Sequence, residues 1–242
     1  MHWIYLSPHL DDAILSCGGL IWQQVHAGEV VEVWNLCAGD PPDGPLTPFA
    51  GQLHQRWQTG PQAVRIRRSE DRAACAVLGA APRYFDLPDC IYRRLPDGAP
   101  LVQSEADIFC PPLAAEQPVI AGLTGQLAEA LPAGAQMVCP LTLGGHRDHR
   151  LGRSAAEALR RPLAYYADYP YAVQAGVEVG ALLPVAARAQ TYPVSTAALA
   201  AWQRSVAAYR SQISTFWNGE QAMYAALEDY WRKGGGTQLW FT

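Results

Sequence analysis

The 242-residue chain contains no apolar run approaching the ~18 residues of a membrane span, so no transmembrane segment is expected. Its first residues, MHWIYLSPHL, lack the basic region and small-residue cleavage site of a secretory signal. Positive charge is not in excess: 18 Lys and Arg stand against 22 Asp and Glu, for a net charge of −4. That balance argues against a protein built to grip a nucleic-acid backbone. The six cysteines include no Cys-x-x-Cys pair, and several lie within apolar stretches, so they read as buried free thiols. The pair Gly18–Gly19 matches neither G-x-G-x-x-G nor G-x-x-x-x-G-K-[ST] and reads as a point of close helix–sheet packing. The expected compartment is the cytoplasm.

Half of the residues are hydrophobic, enough to bury a substantial core, and one domain over 1–242 is the expectation at this length. Residues 3–7, WIYLS, read as a buried strand. Apolar residues then recur at helical spacing from Asp12 to about Ala27, and VVEVWNL at 30–36 is rich in β-branched residues. Strand, helix and strand with short joints make a βαβ unit with a right-handed crossover. Further helices are predicted at 67–78, 120–131, 151–160 and 196–216, and strands at 83–87, 136–139 and 163–168. The whole reads as an α/β fold: a Rossmann-like αβα sandwich with a mostly parallel sheet. The Gly- and Pro-rich stretch 39–63 leaves the C-terminal end of the second strand, where open α/β sheets bind ligands, and is expected to cover the site.

Two short motifs carry the chemistry. PHLDD, residues 8–12, follows the first strand, and GGHRDH, residues 144–149, follows the strand at 136–139. His9 and Asp12, like His146 and His149, are three residues apart at a loop-to-helix junction and can face one point. Either motif alone is weak, because an Asp often caps a helix and a histidine pair can lie on a surface. Together they predict a metal centre. Two imidazoles and one carboxylate suit catalytic zinc, whereas Mg²⁺ and Ca²⁺ favour all-oxygen sets. The ligands would be His9, Asp12 and one of His146 and His149. Asp11 is then a suitable base for a water whose pKa zinc lowers to about 7, and the remaining histidine can serve the oxyanion or the leaving group. A non-catalytic sugar- or nucleotide-binding module and a Mg²⁺ phosphohydrolase using Asp11 and Asp12 are the competing readings.

At these residues the chain resembles the PIG-L/LmbE family of zinc-dependent de-N-acetylases. The resemblance implies zinc on His9, Asp12 and His149, with Asp11 as general base. It also implies that His146 stabilises and protonates the tetrahedral intermediate, with Asp148 orienting the His146 ring. The R-x-x-E at Arg67–Glu70 and the Asp89 of FDLPDC would place Arg67 and Asp89 at the sugar. YYADYPYA at 165–172 and AYRSQI at 208–213 resemble later family signatures. The implied substrate is an N-acetylated amino sugar or its conjugate. Many members carry Glu directly after the two aspartates; here that position is Ala13. Without the resemblance, Arg67 reads as a solvated helix start and Asp89 as a turn residue after Pro88. Trp57 is the tryptophan best placed to serve as a sugar platform.

Overall fold

The computed structural model describes residues 1–242 and is built on one seven-stranded sheet. In chain order the strands are β1 (His2–Ser7), β2 (Val30–Asn35), β3 (Ala81–Tyr84), β4 (Gln136–Pro140), β5 (Leu163–Tyr166), β6 (Arg188–Thr191) and β7 (Gln238–Phe241). They lie in the order β3-β2-β1-β4-β5-β7-β6. The first five are parallel, and β7 and β6 continue the sheet as antiparallel strands beyond β5. No helix is long and apolar enough to cross a membrane.

The helices are α1 (Asp12–His26), α2 (Pro48–Arg56), α3 (Ala63–Leu78), α4 (Glu105–Ile108), α5 (Gln117–Ala130), α6 (Arg147–Glu157), α7 (Thr196–Val206), α8 (Arg210–Phe216) and α9 (Glu220–Arg232). Alternation along the strands divides the core into two layers. From β1, Trp3 and Tyr5 pack with Ile14, Leu20, Leu78, Trp202 and Leu227 of α1, α3, α7 and α9. Ile4 and Leu6 face the other way, toward Leu123, Leu127 and Leu151 of α5 and α6. The αβα sandwich follows from that alternation.

Some elements differ from the sequence reading. Residues 39–63 are not continuous loop: Thr47 caps α2 by accepting from Ala50 N (3.1 Å), with Pro48 at the first helical position. Phe49, Ala50 and Leu53 of α2 join Ile91, Tyr92 and Val102 in a small third cluster. The helix expected over 196–216 is two helices. The chain turns at Tyr209, whose hydroxyl donates to buried Asp71 (2.7 Å), while Ser211 donates from both its N and its Oγ to Glu70. The strand expected at 83–87 ends at Tyr84. The helix expected from 151 begins at Arg147. The glycine pair packs against a helix and not against the sheet. A Cβ on Gly18 would come within 2.3 Å of the Trp202 ring of α7, whose Nε1 donates to Ile14 O. Five of the six cysteines are buried and all are free.

Candidate active site

His9 lies in the turn between β1 and α1, Asp12 opens α1, and both sit at the C-terminal end of β1, an interior strand of the sheet. His146 precedes α6 and His149 lies in its first turn, following β4, the neighbour of β1. Parallel pairing of β1 and β4 therefore brings the two motifs to one edge of the sheet. One cleft of about 310 Å³ is lined by His9, Asp11, Asp12, Arg67, Asp89, His146 and His149. Of the expected site residues, Asp148 alone is behind that surface, with no exposure at all.

The distances define a donor set. Asp12 Oδ2 stands 3.1 Å from His9 Nδ1 and 3.3 Å from His149 Nε2. Ligand atoms around a tetrahedral ion with bonds of about 2.0–2.1 Å are about 3.3 Å apart, and both distances from Asp12 are close to that spacing. Ring nitrogens of His9, His146 and His149 also lie within 4.8 Å of one another. Each of the two imidazoles beside Asp12 is backed by a carboxylate on its other nitrogen. His149 Nδ1 pairs with Asp168 Oδ1 at 2.7 Å, and His9 Nε2 with Asp148 Oδ2 at 3.1 Å. Such partners fix the ring's orientation and tautomer.

The electrostatics ask for positive charge at the same place. Five carboxylates meet only two guanidinium groups there: Arg67 pairs with Asp11 and Arg93 with Asp148, while Asp12, Asp89 and Asp168 face the rings of His9 and His149. Burial disfavours a charged His149, yet Asp12 and Asp168 push it up to about 9. Burial likewise opposes charge on His9, and Asp89, Asp12 and Asp148 overcome it. A divalent cation between the rings would meet the same demand. The residues fit the metal.

Asp148 corrects one expectation. Its carboxylate does not hold the His146 ring; it accepts from His9, Cys90 N (2.9 Å) and Arg93 (2.5 Å). It is the backbone N–H of Asp148 that donates to His146 Nδ1 (3.1 Å). A neutral His146 accepting there carries its proton on Nε2. Burial pushes the His146 pKa down, and His9 and His149 push it further. Gly144 and Gly145, with φ of 76° and 75°, make the turn that presents this ring, and a Cβ on Gly144 would lie 2.2 Å from the Tyr171 ring.

Asp11 makes no capping hydrogen bond to α1, which removes the simplest structural explanation for it. Its carboxylate lies in the cleft, 3.5 Å from Arg67, and burial pushes it up to about 7 against the pull of that guanidinium. Arg67 is buried and not solvated, with Trp57 5.1 Å from it. Glu70, the partner of Arg67 in R-x-x-E, caps α8 instead of entering the cleft. Asp89 both closes its own turn, accepting from Ile91 N, and lines the cleft. Ala13 sits in the core, its N–H donating to Ser7 Oγ (3.0 Å). The sequence reading did not single out Asp168, Arg93 and Glu116. Glu116 joins Arg93 (3.0 Å) to Arg147 (2.6 Å) in a buried network behind Asp148.

Residues 4–159 match the family model for GlcNAc-PI de-N-acetylase, PIG-L. The chain belongs to the PIG-L family. A relative, the 2'-N-acetylparomamine deacetylase of Niallia circulans, is 26% identical over 197 residues. That match covers 69% of this chain and 66% of the enzyme's own length, just under two thirds. The zinc-inhibited form of a teicoplanin deacetylase superposes with a TM-score of 0.82 at 29% identity, covering 100% of this chain and 97% of that one. The deacetylase of the A40926 pseudoaglycone gives 0.74 at 28% identity, covering 99% and 95%. These proteins are deacetylases, and deacetylases are hydrolases.

Proposed function

We propose that this PIG-L-family protein is a zinc-dependent hydrolase that removes the acetyl group from an N-acetylated amino sugar or its conjugate and releases acetate. One observation carries the reading: a carboxylate free of any capping role, Asp11, stands in the cleft beside the donor set of His9, Asp12 and His149. Those three residues would hold the ion. When bound, zinc supplies a Lewis acid for the amide carbonyl and lowers the pKa of a water toward ~7.

The chain's own groups do the rest. Asp11 accepts the proton of the attacking water on its carboxylate, and Arg67 holds that carboxylate in place. His146, anchored through Nδ1, presents Nε2–H to the oxygen that gains charge as the carbonyl carbon becomes tetrahedral. His146, expected from the resemblance to protonate the intermediate, is held neutral by burial and by His9 and His149, so the proton taken by Asp11 passes to the sugar nitrogen as the C–N bond breaks, and acetate and a free amine leave. Asp148 and Asp168 position the His9 and His149 rings. Arg67 and Asp89, at the cleft surface, are the groups available to sugar hydroxyls.

Elemental analysis of the purified protein, coupled to an acetate-release screen over N-acetyl sugars, tests the reading. About one zinc per chain and acetate from at least one sugar are expected. A protein that binds such sugars and releases acetate from none is a binding module on the same scaffold.

A further inference from the structure

We propose that the outer part of the cleft is a subsite for an aromatic or otherwise apolar aglycone attached to the amino sugar, with Phe109 and Trp57 setting the preference; this rests on the deacetylase reading above. The volume of about 310 Å³ is at the low end of the ~300–1,000 Å³ of small-molecule sites. An acetylated sugar whose amide reaches the histidines and carboxylates leaves what it is attached to along the remaining lining.

Five aromatic rings, Trp57, Phe109 and Phe216 among them, stand in that lining beside Gln174, Gln212 and Thr215. Phe109 stands edge-on to His146 at 5.9 Å and to Tyr171 at 6.3 Å, yet 38% of it is exposed. Trp57, only half-buried, lies beside the Arg67 guanidinium, and Phe216 contributes a further ring from α8. An aromatic side chain left open within contact distance of a reacting group gains a stacking partner when the substrate supplies a ring. Charge at the rim points the same way. Exposed Arg56 and Glu105 offset each other, so no surplus of carboxylates is available there to an aglycone bearing several ammonium groups. Such an aglycone would set unpaired cations against apolar walls.

The test compares acetate release by the zinc-loaded protein from phenyl and methyl N-acetyl-β-glucosaminides and from 2'-N-acetylparomamine. The phenyl glycoside is expected to exceed the methyl glycoside in kcat/KM by about tenfold, mainly through KM, and to exceed the paromamine derivative as well. Phe109→Ala should bring the phenyl-to-methyl ratio close to one, while Phe109→Tyr keeps it. A wild-type ratio near one, or a preference for the polyamine, overturns the proposal. Calorimetry on the wild type with the deacetylated phenyl and methyl glucosaminides gives a reading independent of turnover and of the variants' folding. Tighter phenyl binding supports the subsite and equal binding overturns it. Absence of acetate from every substrate would instead count against the deacetylase reading.

Discussion

At the scale of single residues, the proposed mechanism separates groups that would hold the ion from groups that would move protons. Asp11→Asn keeps shape and removes basicity, so it is expected to retain zinc and lose acetate release by roughly two to four orders of magnitude. Full turnover with zinc in place would remove Asp11 as the base. Asp168→Asn leaves the His149 ring without its charged partner, 2.7 Å away in the native protein. Zinc affinity, read by competition with a chelator, should fall about 10–100-fold. An unchanged affinity would show that α6 alone orients His149. The two motifs were legible because their residues are three apart on one turn, a spacing that sequence displays directly. Arg93 and Glu116 were not: Arg93 is half of an ordinary Arg93–Arg94 doublet, Glu116 is a solitary charge, and Arg93 meets its partner Asp148 across 55 positions. Asp168 did leave a signal, since an Asp two residues past the end of a parallel strand, β5, stands where such sheets collect functional groups. The role expected of Asp148 was misdirected for a local reason. Its side chain projects beneath His9, and its backbone serves His146.

At the scale of elements, β1, β2, α1, α3 and α5 were legible, whereas β6, β7, α2 and α9 drew no reading from the sequence. β6 is exposed along its whole length, so no alternation marks it, and β7 is only four residues long. The break at Tyr209 follows from a bond to Asp71, 138 residues away, which outweighs continuous helical periodicity. The turn before α6 offers a direct test. Gly144→Ala places a methyl against Tyr171 at a φ of 76°, and the urea midpoint should fall by the equivalent of about 1–3 kcal/mol. Turnover should fall with it, because the same turn presents His146. A midpoint within error of the wild type would mean that Tyr171 moves aside freely. For α2, which brings Phe49, Leu53 and Arg56 to the cleft, replacement by a short Gly/Ser linker should raise KM or change the preferred sugar while zinc stays bound. Kinetics unchanged across a sugar panel would reduce α2 to a cover for the third apolar cluster.

At the scale of the whole molecule, the ion is expected to act on stability as well as on chemistry. Ligand binding to the native state alone stabilises it by about 4 kcal/mol at a thousandfold excess over Kd. Stripping zinc with a chelator should therefore lower Tm by several degrees, and zinc should restore it. A Tm indifferent to zinc would mean that the donor set binds equally well in the unfolded chain. One feature of the architecture extends this. His9 and the Asp148 behind it are 139 residues apart in the chain, and β1 and β4, which carry them, are neighbours in the sheet. An ion held by His9 and His149 thus closes a ring of chain comprising more than half of the protein, as a removable cross-link would. In polymer terms, such a ring loses more freedom on closure than a short one, so folding must complete the long crossover before the coordination sphere can form. Zinc uptake during refolding would then be a late event, timing the arrival of α6 beside the first strand.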